Sequence, residues 1–154
     1  MPTYILGISC FYHDSAAALL RDGVLVAAAS EERFTRIKHD AGFPESAINF
    51  VLGVAGITID EVDHLGFYDK PLLKLERMLV SHLQHFPKSK AQFIRAMPAW
   101  MKEKISVRRV VSKRLGWNRR PVLFAEHHVS HGASSFLCSP FEEAAILTVD
   151  GVGE

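Results

Sequence analysis

Three groups of side chains in the sequence carry ligating or proton-moving atoms close together. The densest is Glu126-His127-His128-Val129-Ser130-His131. His127 and His131 are four apart, so on a helix they share a face and can grip one metal ion. The same spacing also fits a solvated or capping histidine cluster. A zinc-protease arrangement needs Glu directly after the first His as general base, and His128 stands there instead. A third ligand is offered by Asp150, which ends an apolar run and precedes Gly151-Val152-Gly153. A carboxylate at the C-terminal end of a strand, beside a Gly-rich turn, is where open α/β sheets put functional groups. Two histidines and one carboxylate suit a non-haem Fe(II) ion, with Zn or Mn as alternatives. Asp-Gly is equally a plain turn signal. The Gly151-Val152-Gly153-Glu154 turn also presents backbone N–H groups to an anion such as phosphate.

His13-Asp14 is the second group. A histidine beside a carboxylate is oriented by it and has its basicity raised, which suits general acid–base work. A turn held by Asp14 explains the same pair. The third group is Arg33, Arg36, Lys38 and His39, interleaved with Glu31, Glu32 and Asp40. It could clamp a phosphate or carbamoyl oxygen. Self-paired solvated charge is the commoner outcome for such runs.

The surrounding patterns say what must position these groups. Tyr4 to Ser9 reads as a buried strand. Ser15 to Leu20 and Val24 to Ser30 flank Arg21-Asp22-Gly23, the signature of a tight β-hairpin. The charged stretch Glu31 to Asp40 reads as a loop. A helix is expected from Glu45 to Ala55, with Ile48, Val51, Leu52 and Ala55 on one face and Gly56 closing it. His64 to Tyr68, Pro121 to Phe124 and Ala144 to Asp150 read as strands, and Glu126 to Phe136 as a helix. Helical periodicity runs through Leu72, Leu75, Met78, Leu79 and Leu83. A second helical pattern follows Pro98, with Met101, Ile105, Val111 and Leu115 apolar. An antiparallel hairpin continuing into parallel strands with helices suits an α/β domain of ribonuclease-H-like type.

The chain has 154 residues, 48% apolar and 23% charged, which excludes disorder and low-complexity classes. Its net charge of +1 hides an asymmetry. Between Pro71 and Arg120 lie 13 basic and 2 acidic residues, a surplus of +11; elsewhere 5 basic face 15 acidic, or −10. The basic block reads as a helical insertion, 71–120, with a solvated basic face; nucleic acid or an anionic surface is the less favoured partner. Cys10 and Cys138 have no CxxC spacing and suit a reducing compartment. No secretory signal and no membrane-length apolar run is evident, so a cytoplasmic location is expected.

Three segments, taken in order, resemble the N-terminal part of the O-carbamoyltransferases of the nodulation and antibiotic-tailoring family. They are Gly7-Ile8 through His13-Asp14-Ser15-Ala16-Ala17-Ala18-Leu19; Glu31-Glu32-Arg33-Phe34-Thr35-Arg36-Ile37-Lys38-His39-Asp40 with Phe43-Pro44; and His127-His128-Val129-Ser130-His131 through Ser139-Pro140-Phe141 to Leu147-Thr148-Val149-Asp150-Gly151-Val152-Gly153-Glu154. The resemblance implies an actin-like, sugar-kinase-like ATPase lobe related to the tRNA threonylcarbamoyl-adenosine synthases. It implies a YrdC-like domain, expected beyond this chain, making carbamoyl-adenylate from carbamoyl phosphate and ATP. The lobe would pass the carbamoyl group to a hydroxyl of a sugar, an antibiotic or a nodulation-factor-like acceptor. By position, His127, His131 and Asp150 match the family's metal ligands, with iron the expected ion. His13 matches the base for the acceptor hydroxyl, Asp14 stands beside it, and Lys38 matches a residue near the carbamoyl group. Gly151, Gly153 and Glu154 fall at the nucleotide side.

The expectation that follows is a metal-dependent carbamoyltransferase, seen as its N-terminal portion and inactive alone because the lobe, the metal site and the nucleotide cleft are incomplete. A tRNA-modifying relative, or a non-catalytic metal- or nucleic-acid-binding module, stands as the alternative.

Overall fold

The computed structural model describes residues 1–99 and 106–150. A five-stranded mixed sheet organises the chain, in the order β3-β2-β1-β4-β5. β1 (Tyr4–Ser9), β2 (Ala16–Arg21) and β3 (Val24–Ser30) form an antiparallel meander. β4 (His64–Phe67) and β5 (Val122–Phe124) extend it in parallel on the other side of β1. The β2–β3 turn is built on Asp22 and Gly23, at φ 51° and 82°. Those left-handed values give the twist that a two-residue hairpin requires, which Asp and Gly tolerate.

Strand alternation splits the sheet into two unlike faces. On one, Leu6, Ile8, Leu19, Leu65 and Phe67 point into the core. Helix α2 (Glu45–Ala55) packs on this core chiefly over β2 and β3, contributing Ala47, Ile48, Val51 and Leu52, all buried. It ends at Gly56, whose left-handed φ of 67° lets its N–H turn back to the carbonyls of Leu52 and Gly53. The opposite face carries small residues, among them Gly7, Ala18, Ala28 and Gly66, lining an open concavity of about 770 Å³.

The described part of the basic block carries three helices, α3 (Pro71–Gln84), α4 (Lys90–Ala99) and α5 (Val107–Leu115), joined by turns and followed by coil. Charge does not mark where packing stops. Val107 and Val111 of α5 are fully buried in the sheet's core. By contrast α3 leaves Leu72, Leu79, Val80 and Leu83 exposed. α5 carries Val111 and Leu115 of the helix expected after Pro98, whose Met101 and Ile105 lie outside the described residues; α4, which contains Pro98, is a further helix that the periodicity does not predict.

Two local expectations are corrected. Glu31 to Asp40 is not loop throughout: α1 (Glu32–Thr35) forms one helical turn, closed by Arg36 at φ 60°. Ala144 to Asp150 is not a strand. Among the described residues no β-strand pairs with it, and an apolar run without a ladder partner has nowhere to place its backbone hydrogen bonds. Leu147 and Val149 are 88% and 84% exposed.

Candidate active site at one edge of the sheet

β1, β4 and β5 run parallel, so their C-terminal ends share one edge of the sheet. Functional groups on open α/β sheets gather at this edge. Here the chain leaves β1 into Cys10–Ser15, leaves β4 into Tyr68-Asp69-Lys70, and leaves β5 into Ala125 and helix α6 (His127–Phe136). The exits are stitched together. Ala125 N–H donates to the Phe67 carbonyl at 3.0 Å, and Ser130 Oγ donates to the Tyr68 carbonyl at 2.8 Å. Lys70 Nζ donates to Glu126 Oε1 at 2.7 Å, and that contact holds the Glu126 carboxyl below its ordinary range.

α6 sets His127 and His131 on one face, with Nε2 atoms 3.1 Å apart. Asp150 Oδ2 lies 2.7 Å from His127 Nε2 and 3.9 Å from His131 Nε2. The segment bearing Asp150 is tied back to α6 by His128 Nδ1 and Thr148 Oγ1, 2.7 Å apart, and by Ile146 against Gly132. The three donor atoms lie within 4.8 Å of one another. Ligands around one transition-metal ion at right angles are about 3 Å apart, given metal–ligand bonds near 2.1 Å.

The donor chemistry fits a cation. His127 Nε2 either carries a hydrogen toward Asp150 or offers a lone pair to His131, and it cannot do both. A shared cation satisfies all the contacts at once. Tyr68 stands edge-on to His127, ring centres 5.6 Å apart. The His127 side chain is only 12% exposed, and its Nδ1 is buried without a hydrogen-bond partner among the described residues.

The second cluster sits at the end of β1. His13 Nδ1 is 2.7 Å from Asp14 Oδ2, and His39 Nδ1 is 2.9 Å from Asp14 Oδ1. The two imidazoles therefore share one carboxylate. Hydrogen bonds from His39 first, then His13, lower the Asp14 carboxyl below its usual range. Tyr12 packs on His13 at 4.5 Å between ring centres. Tyr68 lies between the two clusters: burial pushes its phenol up, with Asp69, Cys10 and Tyr12 adding to the effect. Cys10 is also buried, and its thiol is pushed up to about 12, which makes it an inert core residue.

The 31–42 segment is a scaffold more than a solvated run. Glu31 is buried, and its two carboxylate oxygens accept from Ser46 N–H (3.1 Å) and Ala47 N–H (2.7 Å) at the start of α2. It caps that helix from outside, where unpaired N–H groups and the helix dipole both favour an anion. Asp40 accepts from Gly42 N–H and the Thr35 hydroxyl, at 2.8 Å each. Ser15 N–H donates to the Asp40 carbonyl and Phe11 N–H to the Ala41 carbonyl, so this segment is sewn onto the β1–β2 connection.

The structure thus brings His127, His131 and Asp150 together, and His13 with Asp14. Lys38 is exposed and makes no ion pair among the described residues. Gly151, Gly153 and Glu154 lie outside the described residues. Sequence reasoning missed the bond from His39 to Asp14. It counted His39 only among the loop's cations, and no spacing rule links residues 25 apart.

No described helix is long and apolar enough to cross a membrane. A family model described as Carbamoyltransferase N-terminus matches residues 4–154. The uncharacterized protein sll1178 of Synechocystis is 54% identical over 159 residues, covering 99% of this chain and 26% of the relative. The nodulation protein NolNO of Sinorhizobium fredii is 36% identical over 149 residues, covering 94% of this chain and 20% of the relative. The uncharacterized protein MJ1051 of Methanocaldococcus jannaschii is 27% identical, covering 97% of this chain and 22% of the relative. The chain spans about a quarter or less of the length of these curated relatives.

Proposed function

The chain belongs to the carbamoyltransferase family, as its N-terminal region, and from that premise we propose that it supplies the acceptor-activating edge of an O-carbamoyltransferase. The donor would be carbamoyl-adenylate, made from carbamoyl phosphate and ATP by a YrdC-like domain in the remainder of the protein. The acceptor would be a hydroxyl-bearing small molecule such as a sugar. The strand order and the mixed parallel and antiparallel pairing support an actin-like, ribonuclease-H-like lobe. The observation that carries the functional reading is the convergence of two polar clusters on the edge where β1, β4 and β5 end.

The chemistry follows from the residues. A carbamoyl-adenylate is a mixed anhydride, so attack by an alcohol forms a new O–C bond and expels the adenylate phosphate. The alcohol's proton must leave as that bond forms. His13 is the base: with its Nδ1–H donated to Asp14, its Nε2 lone pair faces outward to take the proton. Asp14 holds the ring's tautomer and stabilises the imidazolium that results. Lys38, exposed and without an ion pair among the described residues, is the cation for the carbamoyl or phosphate oxygen. His127, His131 and Asp150 would hold a divalent metal, iron(II) first, with Zn or Mn as alternatives. When bound, such an ion supplies positive charge against phosphate or carbonyl oxygen.

The test is carbamoyl transfer by the full gene product, given carbamoyl phosphate, ATP and a sugar acceptor. Transfer is expected, and His13→Ala is expected to lower kcat by roughly 100-fold or more. A full transfer rate in His13→Ala would remove the base assignment. Strongly salt-dependent RNA binding without transfer would favour the tRNA-modifying relative.

A further inference from the structure

His39 has no role in that scheme, yet it is bonded as closely to the Asp14 carboxylate as many active-site orienters are to theirs. We propose that His39 is a positioning residue for His13, acting through the Asp14 carboxylate that both imidazoles share. The proposal rests on the reading of His13 as base.

The geometry carries it. Asp14 has one oxygen for each ring: Oδ2 to His13 Nδ1 at 2.7 Å, Oδ1 to His39 Nδ1 at 2.9 Å. A carboxylate held low in pKa accepts only, so both rings must donate Nδ1–H and both keep a free lone pair on Nε2. With His13 alone, the carboxylate could rotate and present either oxygen. A second donor on the opposite oxygen fixes its plane and, through it, the plane of the His13 ring.

The backbone is arranged for this. Of the five non-glycine residues with positive φ among the described residues, four belong to this assembly: Phe11, Asp14, Arg36 and His39. Left-handed conformations at non-glycine residues cost energy and persist where surrounding structure holds them. Here the hold is visible on both sides. Phe11 N–H to Ala41 O and Ser15 N–H to Asp40 O bracket Asp14 and His39, and Ser15 Oγ donates to Gly42 O at 2.6 Å. The Glu32 carboxylate accepts from His39 N–H at 3.2 Å.

His39 also shares the charge of the Asp14 carboxylate with His13, one oxygen each. Other charged or titratable groups around the assembly include Tyr12 against the His13 ring, Glu32 and Asp40 beside His39, and the exposed Arg36 and Lys38 of the same segment. None of them donates to Asp14, so the coupling runs through the two histidines.

The experiment uses the full-length protein with isotope-labelled histidine, reading the tautomer and titration midpoint of His13 by NMR, alongside kcat and KM. His39→Ala is expected to raise the His13 midpoint by about half a pH unit, because the Asp14 charge is then less shared. Asp14→Asn is expected to lower it, by losing the anion. His39→Asn returns an N–H donor near the lost Nδ1 and is expected to reverse most of the His39→Ala shift. In transfer assays, His39→Ala lowers kcat roughly 10-fold with KM for the acceptor within about twofold, and His39→Asn recovers most of it. A His13 midpoint and tautomer untouched by His39→Ala would overturn the proposal, as would an Asn variant no better than Ala. If the wild-type protein transfers no carbamoyl group, the functional reading fails, and the titration still decides the coupling.

Discussion

Two histidine–aspartate clusters share one edge of the sheet, and they are built on opposite plans. His13, Asp14 and His39 are internally satisfied: each close contact pairs a donor with an acceptor, and backbone hydrogen bonds bracket the group. His127, His131 and Asp150 instead bring two imidazole Nε2 atoms and a carboxylate oxygen to one point, and no single tautomer of His127 serves both of its close contacts. The first arrangement is complete without a ligand and suits proton transfer. The second leaves converging lone pairs that a cation would satisfy. Residue types alone do not separate a base from a metal site; the direction of lone pairs does.

The largest expected effect would break this comparison outright. Titration with Fe(II) or Zn(II) should show one stoichiometric site, and His127→Ala should weaken it at least ~100-fold. His13→Ala should leave it within about twofold. Equal losses in both variants would mean that the clusters are not distinct. Next comes the scaffold that only the first cluster has. Glu31→Ala leaves the start of α2 without its external cap and should cost about 2 kcal/mol in urea denaturation, while metal affinity changes little. The smallest effect is acid sensitivity. Hydrogen-bonded carboxyls at Asp14, Asp40, Asp63 and Glu126 are lowered in the folded protein. Their stabilisation is present above the unfolded carboxylate range of about 4 and is lost as pH falls through the lower folded values. Thermal melts between neutral pH and about pH 3 should fall in that window, and Asp40→Asn should flatten the decline slightly.

The same contrast shows what a linear pattern carries. The hairpin was legible because Asp22-Gly23 between apolar runs has one good conformational solution. α2 was legible from its apolar stripe and the Gly56 stop. Both depend on neighbours within a turn or two. Ala144 to Asp150 was misread because apolar composition promotes a strand only where a partner edge exists, and the sequence does not state the partner. The charge block was misleading for a related reason: α5 is rich in Arg and Lys yet buries Val107 and Val111, since a helix needs only one apolar stripe to join a core.

Turn signals and apolar periodicity already specify the sheet's first three strands and the helix that packs on them, and composition supplies the residue types able to bind a metal or move a proton. Those are local matters of turn chemistry, periodicity and side-chain function. Tertiary structure alone decided that Glu31 caps α2, that His39 meets Asp14 and that Asp150 closes on α6. Each joins residues at least 15 positions apart. Such contacts exist only after the parallel strands align their ends, because no short-range preference of the backbone encodes them.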